Sequence, residues 1–139
     1  MPTKTFPGRY SSLADIAIFI RQAAEEAGLE GFAIYAVETA VDEACSNIIE
    51  HGYQGQETGE IRCTTRTNEK GLTIILEDRG RPFDPSSVPD PQLDVTLDER
   101  QAHGLGLFFM RQLMDEVIFS TRGPINVLTM VKYTEHKTE

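Results

Sequence analysis

The chain has 139 residues, of which 40% are hydrophobic and 25% are charged, a composition typical of folded globular domains and not of disordered chains. The formal net charge is −9, which excludes the broad cationic surface of a nucleic-acid-binding protein. No apolar run approaches the ~20 residues needed to cross a bilayer, and no signal peptide is evident. We therefore expect a single domain over residues 1–139 in the cytoplasm, without a membrane or a direct nucleic acid partner.

The first elements of the chain predict a strand and a helix. Residues 3–9 are predicted as a short edge strand, in which Pro7 limits the ladder of hydrogen bonds. Ser11 or Ser12 is expected to cap a helix that ends near Ala27, with Gly28 as its stop.

A second helix and a hairpin follow. Residues 32–51 are predicted to be helical, because six apolar residues recur at helical spacing: Ile34, Val37, Val41, Ala44, Cys45 and Ile48. In residues 61–67 one set of side chains alternates with a more polar set, which indicates a half-buried strand. The first set is Ile61, Cys63, Thr65 and Thr67, and the second is Arg62, Thr64 and Arg66. A more continuously apolar strand is predicted over residues 72–77, and residues 68–71 between them predict a hairpin turn.

The second half of the chain begins with a long irregular segment. Residues 78–103 hold four of the seven prolines, and loops of this length in compact domains usually have a functional reason. A third helix is expected to open at Gly104, and two closing strands are predicted over residues 117–121 and 127–133. This order of elements predicts an α+β sandwich with an antiparallel or mixed sheet and helices layered on one face.

Several common catalytic motifs are absent from the sequence. It contains no Walker-type phosphate loop, no H-E-x-x-H, no G-x-S-x-G and no paired C-x-x-C. Cys45 and Cys63 lie in segments predicted to be buried, without metal-ligand spacing. Common protease, lipase and zinc chemistries therefore have no support in the sequence.

Three polar clusters remain as candidates. Glu43 and Asn47 are four residues apart and share one face of the second helix, where they could serve as a general base and a Mg²⁺ ligand or form a solvated polar face. Asp78 and Gly80 follow a strand and offer a hydrogen-bond acceptor and room for a flat ligand, or an ordinary turn. Residues 103–107 open a helix, either as a phosphate cradle or as a structural helix start.

The order and spacing of these clusters are specific. Asn47 on a helix, Asp78-x-Gly80 after a strand and Gly104-x-Gly106 opening a later helix resemble the N, G1 and G2 boxes of the GHKL ATPase superfamily. More narrowly, the segments VDEACSNIIEHGY, EDRGRPFDP and HGLGLFFMRQLMDEV are similar to those of the bacterial anti-sigma-factor serine kinases.

The resemblance implies a Bergerat-type two-layer α/β sandwich with a mixed, mainly antiparallel sheet, and residues 83–103 as a lid over ATP. It implies that Asn47 coordinates Mg²⁺ and that Asp78 accepts the adenine amino group, with Gly80 beneath the base. The phosphates would be bound by His103, Gly104, Leu105 and Gly106. Glu43 would be the general base toward a serine hydroxyl of a protein substrate.

The chain departs from the family pattern at three places. Pro82 stands where many relatives have a second glycine in the G1 box. Kinases of this family often carry an arginine that meets the γ-phosphate just before the G2 glycines, and in this chain the nearest arginine is Arg100. Asn126-Val127 stands near the place of a Gly-Thr pair in the last strands.

The function implied by the resemblance is an ATP-binding anti-sigma factor with serine/threonine kinase activity. Its expected partners are a sigma factor, an anti-sigma-factor antagonist with a STAS-type domain, and a second copy of the chain in a homodimer. The alternative is a nucleotide-binding, partner-switching module without phosphate transfer. A third reading, the catalytic piece of a sensor histidine kinase, lacks a preceding helix with a phosphoacceptor histidine.

Overall fold

The computed structural model describes residues 1–82 and 105–134. In chain order the elements of these two ranges are β1 (Thr3–Pro7), α1 (Leu13–Glu26), α2 (Phe32–Asn47), β2 (Glu60–Asn68), β3 (Gly71–Asp78), α3 (Leu105–Leu113), β4 (Glu116–Arg122) and β5 (Ile125–Tyr133). The predicted strands and helices are all present. The predicted lid, over residues 83–103, lies outside the described residues.

The five strands of the described ranges form one sheet in the order β1-β2-β3-β5-β4. All four neighbouring pairs are antiparallel, so the sheet is antiparallel throughout this part of the chain. The central strand, β3, pairs with β2 on one side and with β5 on the other. The α+β architecture predicted from the sequence is confirmed.

One face of the sheet forms the core together with the helices. On β3 the buried residues Leu72, Ile74 and Leu76 alternate with partly exposed ones, as the two-residue period of a strand requires. Their partners Met130 and Leu128 on β5 are also buried. The apolar stripe of α2 packs into the same cluster, which confirms the helical periodicity read from the sequence.

Helix α1 is closed at its C-terminal end as predicted. Gly28 has a φ of +87°, which glycine adopts without the steric strain that other residues incur. The N–H group of Leu29 then donates to Ala24 O at 3.0 Å, and the Leu29 side chain is buried, as in a Schellman-type C-cap. The N-terminal prediction was wrong in detail: within the described residues Ser12 makes no side-chain capping bond, and a 3₁₀ turn over Tyr10–Ser12 leads into the helix.

Helix α2 continues beyond Asn47 in a wider π-helical turn, Ile48–Gly52, and so reaches the predicted end near His51. The N–H group of Tyr53 donates to Ile48 O, five residues earlier, at 2.8 Å. Such i→i+5 turns are rare and occur often at functional sites. Here the turn carries Gly52 to the end of β3.

The two cysteines are free thiols in the core. Cys45 and Cys63 are both buried and unbridged, and burial raises the pKa of the Cys63 thiol to about 12. A neutral, buried thiol is chemically inert at physiological pH, so both cysteines serve in packing.

Among the described residues, no helix is long and apolar enough to cross a membrane.

The core position of Ile74 gives the first testable prediction. Ile74 is fully buried at the centre of the sheet, and we expect Ile74→Ala to lower the free energy of unfolding by about 2–5 kcal/mol through lost burial and a residual cavity. Ile118, on β4, is 51% exposed, and Ile118→Ala should change stability by less than about 1 kcal/mol. Urea denaturation measures both, and equal losses would contradict the assigned core.

Candidate functional site

Asp78 ends β3 as a buried carboxylate with a defined orientation. Its Oδ1 accepts a hydrogen bond from the Gly80 N–H group at 2.8 Å and one from Asn126 Nδ2 at 3.0 Å. The side chain is 8% exposed. Among the described residues no hydrogen bond reaches Oδ2, so this oxygen is available as an acceptor.

The environment of Asp78 disfavours the ionised form of its carboxyl group. Burial raises the pKa of the Asp78 carboxyl above its ordinary value, while the hydrogen bonds from Asn126 and Gly80 lower it. Burial is the larger effect, because removing a charge from water is only partly offset by two donors. Buried carboxyl groups with a raised pKa of this kind are common at functional sites.

The turn after Asp78 lies directly against the end of α2. The Arg81 N–H group donates to Gly52 O at 2.8 Å. A Cβ atom on Gly80 would lie 2.6 to 2.8 Å from the Gly52 backbone atoms, closer than real Cβ contacts. Glycine is therefore needed at position 80, where this turn meets the π-helical turn, whereas a Cβ atom on Gly52 would make only ordinary contacts at 3.6 to 3.8 Å.

The hydroxyl group of Tyr53 also holds the turn after Asp78 in place. Its hydroxyl group donates to Glu60 O at 2.6 Å and accepts from the Arg79 N–H group at 3.0 Å. Because one phenolic oxygen joins β2 to residue 79, the backbone beside Asp78 is fixed without a long loop.

A second set of polar groups lies where α2 meets the first turn of α3. A Cβ atom on Gly106 would lie 2.5 Å from Glu43 Oε2 and 4.0 Å from Asn47 Nδ2. Both side chains are half-buried instead of standing on a fully solvated helix face. Glycine at position 106 therefore leaves room for the carboxylate beside the N-terminal turn of α3, where the helix dipole favours negative charge.

Glu43 is also electrostatically perturbed. Burial, and secondarily the neighbouring Asp42 carboxylate, raise the pKa of the Glu43 carboxyl above its usual value. A carboxylate with a raised pKa holds a proton more tightly, which is the property that a general base requires.

A divalent cation would find few protein ligands among the described residues. They contain no group of three or more histidine, cysteine, aspartate or glutamate side chains able to hold a metal ion. Mg²⁺ is usually bound by one or two protein oxygens together with phosphate oxygens and water. The amide of Asn47 beside the Glu43 carboxylate fits that pattern.

The structure therefore brings the candidate residues of the sequence into two places. Glu43, Asn47 and Gly106 meet at the α2–α3 contact, and Asp78 and Gly80 form the β3 turn. Leu105 begins α3. Arg100, His103 and Gly104 lie outside the described residues.

Three residues of the site were not predicted as site residues. Gly52 and Tyr53 appear in the sequence analysis only as the end of the segment VDEACSNIIEHGY, and Asn126 only as part of a departure from the family pattern. The sequence carries no local signal for Asn126, because the pairing of β5 with β3 in the structure is what sets Asn126 opposite Asp78.

A profile of the family described as "Histidine kinase-like ATPase domain" matches residues 6–132, which is most of the chain. The chain belongs to this family. It is 38% identical over 88 residues to the "Serine-protein kinase RsbW" of Bacillus licheniformis, covering 58% of this chain and 53% of that protein. It is 30% identical over 118 residues to the protein of the same name from Listeria innocua serovar 6a, covering 82% and 74%.

A solved structure agrees with the family assignment at the level of the fold. The crystal structure of the RsbU and RsbW domains of Rv1364c from Mycobacterium tuberculosis superposes with a TM-score of 0.60 at 14% identity, covering 98% of this chain and 34% of that one. The match with this chain spans only 53 to 62% of the length of several Bacillus RsbW proteins.

The contact between Gly80 and Gly52 gives a second prediction. In Gly80→Ala the new methyl group meets backbone atoms and not a movable side chain, so one of the two turns must shift. We expect the free energy of unfolding to fall by about 1–3 kcal/mol. Arg81→Ala, an exposed position in the same turn, is the control, and thermal unfolding of the ligand-free protein compares them. Equal stability of the Gly80 variant and wild type would contradict the close approach.

The raised pKa of Asp78 gives a third prediction. A carboxyl whose folded-state pKa lies above the unfolded value stabilises the fold below the unfolded pKa, and this stabilisation is lost as the pH rises through the folded pKa. The neutral amide of Asp78→Asn does not titrate. The stability of this variant relative to wild type should therefore increase as the pH rises through the raised pKa.

Thermal unfolding over a pH series measures this difference. Glu69→Gln, at an exposed position of the turn between β2 and β3, is the control. A stability difference between Asp78→Asn and wild type that stays constant with pH, or that declines as the pH rises, would contradict the assigned burial effect.

Proposed function

We propose that this ATPase domain is an ATP-dependent protein serine/threonine kinase of the anti-sigma-factor type. The observation that carries the proposal is the contact of Gly106 with Glu43 and Asn47. It gathers a half-buried carboxylate, a carboxamide and a helix N-terminus, which are the groups needed beside a transferred phosphoryl group.

The adenine end of the proposed site is the β3 turn. Asp78 Oδ2 would accept a hydrogen bond from the exocyclic amino group, since Oδ1 already has two donors. Gly80 would lie against the base, where the absence of a side chain permits close approach. In this proposal, the base of the nucleotide is recognised at the end of β3.

The phosphate end would lie at the start of α3. Backbone N–H groups of Gly104, Leu105 and Gly106 would meet the phosphates, with His103 beside them and Arg100 toward the γ-phosphate. Asn47 would hold Mg²⁺, which supplies charge neutralisation to the phosphates when bound. In a chain of net charge −9, such local donors are needed to offset repulsion between the protein and a polyanion.

Glu43 is assigned the general-base role. The hydroxyl oxygen of a serine or threonine on the protein substrate would attack the γ-phosphorus, and the bond from that phosphorus to the bridging oxygen would break to release ADP. The hydroxyl proton would pass to Glu43. Support comes from its raised pKa and its position beside the first turn of α3.

The proposed partners follow from the resemblance to anti-sigma-factor kinases. The phosphoryl acceptor would be a STAS-type antagonist, the sequestered protein a sigma factor, and the kinase itself a homodimer. The relatives named serine-protein kinase support a serine side chain of a protein as the phosphoryl acceptor. The alternative function, partner clasping with bound nucleotide and no transfer, keeps the same adenine site but needs no base at position 43.

Substitution of Glu43 separates these functions. We expect Glu43→Gln to bind ATP with affinity close to that of wild type and to transfer phosphate to a STAS-domain substrate about 10²–10⁴-fold more slowly, because the proton acceptor is lost. Asn47→Ala should weaken Mg-dependent ATP binding. The measurements are transfer of radiolabelled phosphate and calorimetric titration with ATP.

Glu57→Gln, at an exposed loop position, is the matched control and should transfer at the wild-type rate. ATP binding by wild type without transfer to any STAS-domain protein would favour the clasping module. A wild-type protein with no affinity for Mg-ATP would overturn the proposed function.

A further inference from the structure

We propose that Asn126 is a positioning residue that determines selectivity for the purine 6-amino group. The inference deepens the proposed function and depends on it, because it concerns how the Asp78 carboxylate is presented to a nucleotide base. Neither the sequence motifs nor the family profile assigns a role to this side chain.

The geometry rests on two hydrogen bonds from a single amide. Asn126, on β5, is the register partner of Asp78 on β3. Its Nδ2 donates to Asp78 Oδ1 at 3.0 Å and to Gly80 O at 2.9 Å. Both neighbours are acceptors, so the nitrogen and not the oxygen of the amide must face them.

These two bonds restrict the carboxylate to one orientation. Oδ1 is held by Asn126 Nδ2 and by the Gly80 N–H group, which leaves Oδ2 to face a ligand. The second bond fixes the Gly80 carbonyl, so the turn on which the base would lie is held by the same amide. A rotated carboxylate would lose two donors in a buried environment, which is unfavourable.

A fixed carboxylate distinguishes donors from acceptors. An ionised oxygen accepts a hydrogen bond from a purine 6-amino group and is repelled by the 6-oxo group of hypoxanthine. Sites that hold buried polar groups in place reject ligands lacking the complementary group far more strongly than mobile ones do. Release of the carboxylate should therefore reduce discrimination between ATP and ITP without altering contacts to the triphosphate.

The test compares ATP and ITP affinities by calorimetry for wild type, Asn126→Ala and Asn126→Asp. The aspartate variant keeps the side-chain shape but cannot donate when ionised. Both variants should bind ATP about tenfold or more weakly and ITP with nearly unchanged affinity, so the ATP:ITP affinity ratio falls. Thr121→Ala is the matched control, since Thr121 on β4 is the register partner of Asn126 on its other side, and it should keep the wild-type ratio.

The outcomes separate selectivity from stability. Equal loss of ATP and ITP affinity, with the ratio unchanged, would mean that Asn126 only supports the fold and would overturn the inference. Unfolding of both variants in the absence of ligand, measured by thermal melting, would overturn it as well. A wild-type protein that binds ATP and ITP equally refutes this inference alone, whereas one that binds no nucleotide refutes the proposed function together with it.

Discussion

The arrangement of the site depends on one backbone contact, between the turn after β3 and the π-helical turn that ends α2. The hydrogen bond from Arg81 N–H to Gly52 O and the close approach of Gly80 set the distance between strand and helix at this point. Glu43 and Asn47 lie on the same helix, one to three turns before Gly52. The turn that holds Asp78 is therefore joined by direct backbone contact to the π-helical turn at the end of the helix that holds Glu43.

Helix α2 meets two requirements that compete for its surface. Its apolar stripe packs into the core cluster that also contains residues of the sheet and of α1, and the adjacent polar stripe meets the first turn of α3. Because the core stripe fixes the rotation of the helix about its axis, it also fixes where Glu43 and Asn47 point. The stability of the core and the position of the polar groups thus have a common cause. The burial that raises the pKa values of Glu43 and Asp78 follows from the same packing.

Much of this could be predicted from the sequence, because periodicity and turn residues act locally. The stripe of α2, the alternation on β2 and the glycine stop of α1 each depend on residues a few positions apart. The hydrogen bonds from Asn126 to Asp78 and Gly80 could not be predicted in this way, since they join residues about 46 to 48 positions apart and require knowledge that β5 lies beside β3. The missing cap at Ser12 has a local cause instead, because the 3₁₀ turn directly before Leu13 leads into α1 without a side-chain cap.

The charge distribution explains why the two ends of the proposed site differ in construction. Asp78 is buried and receives its two donors from a backbone N–H group and from a neutral amide, so it keeps an acceptor without a neutralising cation. That arrangement suits a neutral base with a donor group. Glu43 lies beside an N-terminal helix turn and next to Asp42, so added negative charge there is opposed by two carboxylates and favoured by the backbone dipoles of α3. A polyanion bound there needs a cation, whereas the base does not, so removal of divalent metal should weaken triphosphate binding while leaving recognition of the base intact.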